Sequence, residues 1–190
     1  RSKEAWNSGA FEDEIATVLV PQKKGDPVIV TEDETYKQVN FEKMKLLRPA
    51  FSENGTVTAA NASSINDGAS AVVVASKLFI ENENINPIAK IIAYAEAEQD
   101  PTFFTTTPIL ATKKVLAKAN LKLSDIDFFE VNEAFAVVPL AFMKELKIDS
   151  SKVNVFGGAV SLGHPLGSSG SRIVVTLLNV LKNKKAKYGL

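Results

Sequence analysis

The sequence predicts an α/β protein built on a largely parallel or mixed sheet, and two observations carry that expectation. In the second half, short β-branched or aromatic runs alternate with stretches of helical period, the pattern of strands joined by helical crossovers. Composition agrees: 45% hydrophobic and 23% charged residues are ordinary globular proportions, which exclude disordered and collagen-like classes. A chain of 190 residues can bury about two-thirds of its unfolded surface.

In chain order, residues 1–9 read as a helix already under way at Arg1 and stopped by Gly9. Residues 14–21 and 27–31 are β-branched runs around Lys23-Lys24-Gly25-Asp26, a predicted hairpin. Residues 32–51 are charged and weakly periodic, a loop with a short helix. Gly55-Thr56-Val57-Thr58 reads as extended, and Asn66-Asp67-Gly68 as a turn. Residues 69–76 (Ala-Ser-Ala-Val-Val-Val-Ala-Ser) have the length and β-branching of a buried strand.

Residues 89–94 read as the next strand. Thr107-Pro108 opens a helix with proline at its first position, and Asn120 closes it. Residues 128–131 form a strand, and Asn132 opens a helix over 133–146. That helix is apolar almost all round, which predicts burial, and Pro139 predicts a kink. A strand over 152–156, a glycine-rich stretch over 157–170 and a helix over 171–181 complete the pattern. Lys182, Lys184, Lys185 and Lys187 follow as a basic last turn, suited to the helix dipole.

Several function classes are excluded or disfavoured. The 22 basic and 22 acidic side chains cancel, so nothing favours nucleic acid as a partner. The sequence has no cysteine, which rules out a disulfide framework or a thiolate metal site within it. No apolar run is long enough to span a membrane. A cytosolic or mitochondrial-matrix protein fits these features, with the N-terminus expected to be missing.

The lone histidine, His164, lies in Phe156-Gly157-Gly158-Ala159-Val160-Ser161-Leu162-Gly163-His164-Pro165-Leu166-Gly167-Ser168-Ser169-Gly170. A single histidine is usually structural. Here the glycines allow close backbone approach, the loop leads into a helix N-terminus, and imidazole suits proton transfer near neutral pH. Ser168 and Ser169 read as caps of the following helix. A phosphate-cradling loop is disfavoured because Gly163 is followed by His164-Pro165 and not by Lys-Ser or Lys-Thr.

In Phe129-Glu130-Val131-Asn132-Glu133-Ala134-Phe135-Ala136, Asn132 sits where a strand gives way to a helix, the edge at which open α/β sheets place ligands. A structural role accounts for the pair equally well, with Asn132 as N-cap and Glu133 as first-turn acid. The run Asn54-Gly55-Thr56-Val57-Thr58-Ala59-Ala60-Asn61-Ala62-Ser63 is small and polar, and a turn plus tight packing explains it without function.

Together these segments resemble the thiolase family. Asn132-Glu133-Ala134-Phe135 is similar to its Asn-Glu-Ala-Phe motif, and Gly157-Gly158-Ala159 through Gly163-His164-Pro165 to its Gly-Gly-Ala…Gly-His-Pro motif. Asn54 to Ser63, with Asn66-Asp67-Gly68-Ala69, resembles its coenzyme A-contacting segment. The resemblance runs from Arg1 to Leu190 and is strongest to short-chain acetoacetyl-CoA thiolases. It implies the latter part of a layered αβαβα subunit, residues 1–52 ending the loop and N-terminal region and 53–190 belonging to the C-terminal domain.

The resemblance also implies roles. His164 activates a cysteine nucleophile and helps to form an oxyanion hole, while Asn132 holds the water that supplies its other donor. Ser63 contacts the pantetheine arm of coenzyme A, Phe135 lines the acyl pocket, and Gln38, Val39, Asn40 and Lys43 lie near the nucleotide end. In potassium-activated members the carbonyls of Ala59, Ala60, Ala62 and Val160 face the ion; no other cofactor is implied. The implied reaction condenses two acetyl-CoA into acetoacetyl-CoA and coenzyme A in a homo-oligomer, a dimer or tetramer. Both family cysteines are absent: the nucleophile belongs to the N-terminal half, and the second lies in a Cys-Asn-Gly-Gly-Gly-Gly motif beyond a Lys-Tyr-Gly-Leu-like strand, where this sequence stops. It is therefore expected to be inactive alone. A longer-chain 3-ketoacyl-CoA thiolase and a non-catalytic acyl-CoA-binding module are the alternatives.

Overall fold

The structure, a computed structural model, describes residues 1–190. Helix α1 (Ser2–Asn7) opens the chain, and the expected hairpin follows as β1 (Val18–Val20) and β2 (Val28–Val30). They pair antiparallel, Val18 opposite Val30 and Val20 opposite Val28. A 3-10 turn over Thr35–Gln38 packs against α1, with Tyr36 stacked on Trp6 at 6.2 Å between ring centroids. The short helix α2 (Phe41–Met44) follows, with the Asn40 side chain accepting a hydrogen bond from the Lys43 N–H. α3 spans Lys77–Asn82.

A small parallel ladder organises the second half. Residues 128–130 form its centre. On one side the Phe129 N–H donates to the Lys152 carbonyl (2.8 Å) and the Asn154 N–H to the Phe129 carbonyl (2.9 Å). On the other side the Glu130 N–H donates to the Leu190 carbonyl (2.9 Å) and the Leu190 N–H to the Phe128 carbonyl (3.1 Å). The pairings Phe129–Val153 and Phe128–Gly189 are both parallel. The chain leaves the central strand through α5 (Val137–Leu146) to reach one neighbour, then returns through α7 (Ser169–Lys184) to the other. That reversal is a topological switch point, and the crevice at the carboxyl end of the central strand is where such folds bind ligands.

The helices follow from local sequence. α4 (Thr107–Ala119) carries Pro108 in its first turn and buries Ile109, Thr112 and Leu116, a stripe of helical spacing. It ends at Asn120 in left-handed conformation. α7 ends at Lys185, also left-handed, with Lys182 and Lys184 in its last turn, where cations suit the helix dipole. The main core joins Ile109, Leu116, Ile126, Phe129, Val131, Val138, Phe142 and Val153. A smaller cluster of Ala5, Phe11, Phe156 and Val180 fastens the N-terminal helix to α7.

Five expectations are corrected. Residues 69–76 and 89–94 are not strands: they find no partner to ladder with and stay irregular, with Val73 97% and Ile91 69% exposed. β-branching favours a pleated, half-buried surface and forms none without a partner. The helix expected over 133–146 begins only at Val137, because residues 134–136 pair instead with residues 61–63. Pro139 then falls in the first turn, where its missing N–H has no helical acceptor, so it causes no break. α5 is also half uncovered, with Val138 and Phe142 buried but Leu140 59% exposed.

The accessible surface is 13441 Å², whereas a compact monomer of this mass exposes about 8,800 Å². The chain therefore buries only a little over half of its extended surface, less than its length predicts. The hairpin and residues 72–74 are among its uncovered apolar features.

Candidate functional site

The site is built at the carboxyl end of the central strand, and a buried asparagine sets its geometry. Asn154, 2% exposed with a positive φ of 46°, accepts from the Val131 N–H (2.7 Å) and donates to the Val131 carbonyl (2.8 Å). Its amide nitrogen also donates to Glu133 Oε1 (2.8 Å). The other oxygen of Glu133 accepts from the Val160 N–H (3.2 Å). Glu133 thus ties the strand end to the glycine-rich loop, through a gap that only glycine leaves open. A Cβ on Gly158 would lie 2.3–2.5 Å from the Glu133 carboxylate.

Helix α6 (Ala159–Leu162) carries that loop forward to Gly163, whose φ of +98° suits glycine. His164 follows. Its N–H donates to the Ser64 carbonyl at 2.9 Å. Its imidazole lies between two polar side chains, with Nε2 3.2 Å from Asn132 Nδ2 and Nδ1 2.5 Å from Ser169 Oγ. Asn132 Oδ1 is buried with no hydrogen-bond partner, and such a group calls for a water or ligand.

The small polar segment closes a third side. The Ser63 N–H and hydroxyl both donate to the Ala134 carbonyl, at 3.0 and 2.9 Å, and Ala62 pairs antiparallel with Phe135. The Phe135 ring meets Phe51 and Phe104 edge-on, at 5.9 and 6.2 Å. The carbonyls of Ala59, Ala60 and Ala62 accept no hydrogen bond from the protein, which suits them to a cation. Val160 lies in α6, its N–H on the Glu133 carboxylate. Gln38, Val39, Asn40 and Lys43 remain exposed; the turn that ends at Gln38 packs against α6, and Asn40 is engaged in capping α2.

The three motifs, separated by up to a hundred residues, therefore converge. Two structural roles expected for them do not hold. Asn132 and Glu133 do not open a helix, since α5 starts four residues beyond Glu133. Ser168 and Ser169 make no capping hydrogen bond: the Ser168 hydroxyl meets Ser70 Oγ at 2.8 Å, and Ser169 meets His164.

Sequence reasoning missed Asn154 and Glu130. Asn154 lies at the end of the strand adjacent to the one that carries Asn132, a position a paired-strand reading could have singled out. Glu130 is 8% exposed and its Oε1 has no partner. Burial pushes its carboxyl up to about 8, against the opposing pull of Arg172. Arg172 Nη1 is likewise buried without a partner.

The comparisons with known proteins bear on this arrangement directly. The family model described as the thiolase N-terminal domain matches residues 1–78, and that for the thiolase C-terminal domain matches residues 85–190. The chain belongs to the thiolase family. It is 53% identical over 190 residues to a probable acetyl-CoA acetyltransferase of Dictyostelium discoideum, covering 100% of this chain and 46% of that protein. Its fold is similar to the Acat5 thiolase of Ascaris suum, solved with coenzyme A, at TM-score 0.90 and 50% identity over 95% of this chain and 46% of that one. Human mitochondrial 3-ketoacyl-CoA thiolase gives TM-score 0.93 at 43% identity over 99% and 48%. The layered thiolase fold is thus the fold of this chain, which spans about half the length of the relatives it matches.

Proposed function

We propose that this chain carries the histidine–asparagine part of a thiolase active site, in a protein that reversibly condenses two acetyl-CoA into acetoacetyl-CoA and coenzyme A. The observation that carries the reading is the Asn132–His164 pair, 3.2 Å apart, at the switch-point crevice with an unpartnered Asn132 oxygen beside it. A cysteine thiol from outside residues 1–190 supplies the nucleophile. His164 takes the thiol proton, and the thiolate attacks the acetyl-CoA carbonyl carbon. The oxyanion is held by the protonated imidazole and by a water on Asn132; such donors are each worth roughly 3–4 kcal/mol. Collapse expels coenzyme A thiolate, which recovers the proton. A second thiol then gives its proton to His164, and the resulting thiolate removes a proton from the α-carbon of another acetyl-CoA. The enolate attacks the acyl-enzyme and releases acetoacetyl-CoA, and the expelled first thiolate recovers its proton from the imidazolium. Splitting the transfer in two is the logic of covalent catalysis.

Ser63 is assigned to the pantetheine arm, Phe135 to the acyl pocket, and Gln38, Val39, Asn40 and Lys43 to the nucleotide end. The rings of Phe51 and Phe104 packed edge-on against Phe135 favour a short acyl group over a long one. The alternative, a longer-chain 3-ketoacyl-CoA thiolase, is kept by the likeness to the human enzyme of that name. A potassium ion on the carbonyls of Ala59, Ala60, Ala62 and Val160 belongs to the same reading, as does the division at residues 52 and 53. A homo-oligomer, a dimer or tetramer, belongs to the same reading. The proposed compartment is the cytosol or mitochondrial matrix, consistent with names among its relatives. The deciding experiment is thiolysis by the complete protein over acyl chain lengths, in potassium and in sodium buffer. Fastest turnover with acetoacetyl-CoA supports the proposal. Faster turnover with long-chain substrates overturns the substrate, and coenzyme A binding without turnover overturns the enzyme.

A further inference from the structure

We infer that Ser169 is a positioning residue for His164, holding the neutral imidazole as the Nδ1–H tautomer so that the Nε2 lone pair faces Asn132 and the crevice. The inference rests on the proposed role of His164 as proton acceptor. Both ring nitrogens lead to the same tautomer independently. At one, Ser169 Oγ lies 3.1 Å from the Pro165 carbonyl, the back-bond to the residue four positions earlier that helical serines make. That bond uses the only hydroxyl proton. Toward His164 Nδ1, 2.5 Å away, the oxygen can then only accept, so Nδ1 carries the hydrogen. At the other, Asn132 Nδ2 has only protons to offer, and at 3.2 Å from Nε2 it requires a lone pair there.

The opposite tautomer needs two reversals at once. Ser169 would have to abandon Pro165, and the Asn132 amide would have to turn over. Ser169 is also fixed in place: it is 4% exposed, stands first in a helix of 16 residues, and its N–H donates to the same Pro165 carbonyl at 2.8 Å. The tautomer of a histidine is set by the hydrogen bond of its second nitrogen. With Nδ1–H held, a thiol proton can move only to Nε2, the sulfur keeping the bonding pair. The resulting imidazolium then presents Nε2–H toward the crevice while Nδ1–H stays on Ser169.

The test uses the complete protein carrying this chain, with histidine labelled with nitrogen-15 and the His164 signals assigned by their loss in His164→Asn. With the imidazole neutral, the wild type should show Nδ1 protonated and Nε2 bare. Ser169→Ala should shift the population toward Nε2–H and lower kcat by about tenfold or more, the scale of a weakened general base. KM for acetoacetyl-CoA should stay within about twofold, because ground-state binding is untouched. Ser169→Thr, which keeps the hydroxyl, should retain the wild-type tautomer. A wild-type Nε2–H spectrum overturns the inference whether or not Ser169→Ala folds. An unchanged tautomer or undiminished kcat in folded Ser169→Ala overturns it too, while leaving the proposed function standing. Full activity in His164→Ala would instead overturn that function.

Discussion

The Glu133 carboxylate bridges Asn154 Nδ2 and the Val160 N–H, at 2.8 and 3.2 Å, and so joins the strand that ends at Asn132 to the loop that delivers His164. Gly158 is the residue that lets the carboxylate through. Gly158→Ala should force Glu133 aside or shift the loop, as its Cβ meets the carboxylate at 2.3–2.5 Å. Overpacking of this kind costs about 1–3 kcal/mol. Thermal denaturation of the complete protein should show the loss, and thiolysis should fall with it. An unchanged melting temperature and rate would mean that the bridge is dispensable.

His164→Ala should lower acyl transfer by about 10²–10⁴-fold, the usual contribution of a general base, while leaving the fold largely intact. The side chain is half-buried and lies outside both apolar clusters. Circular dichroism with steady-state thiolysis checks both halves. More than half of wild-type activity would remove His164 from the mechanism.

Glu130 makes stability depend on pH in a defined direction. Its folded value is about 8, raised from 4.5 chiefly by burial, so the folded state holds a proton that the unfolded state has released between those values. Stability should therefore fall as pH rises from about 4.5 to 8 through this group. Glu14 is raised by burial as well and adds in the same sense. Melting temperatures across pH 5–8 should decline in the wild type and flatten in Glu130→Gln. An equally steep decline in the variant would place the effect elsewhere.

Purified alone, this 190-residue chain should self-associate or be poorly soluble. Its accessible surface of 13441 Å² includes Leu19, Ile29, Val73 and Leu140, each more than half exposed, and uncovered apolar patches beyond a few hundred Å² drive association. Sedimentation at high concentration reads this. A monodisperse monomer would contradict it.

The same chain alone should show no thiolysis of acetoacetyl-CoA. It has no cysteine, and attack on a thioester by this route needs a thiolate. Ser169, the hydroxyl nearest the imidazole, faces Nδ1 and already bonds to the Pro165 carbonyl, away from the crevice at Nε2. Turnover above a His164→Ala control would show that a hydroxyl substitutes for the thiol.

The sequence by itself singled out Asn132 and His164 as candidates, and it determined the family and the local elements with strong punctuation. Proline and left-handed asparagine bound α4, and Lys23 to Asp26 turn the hairpin, because steric limits on φ and ψ act within a few residues. Tertiary structure decided everything that depends on a partner. The β-branched runs at 72–74 and 91–92 carry the composition of strands, yet they remain unpaired because a ladder needs a second edge. Asn132 and Glu133 carry the composition of a helix start, yet residues 61–63 hold the following segment extended through the Ala134 carbonyl and the Ala136 N–H. Ser169 has the composition of a helix cap, yet its oxygen meets an imidazole brought back by the turn at Gly163. Long-range hydrogen bonds outweigh local preferences worth a fraction of a kcal/mol per residue, and no single segment of sequence encodes where its distant partner will lie.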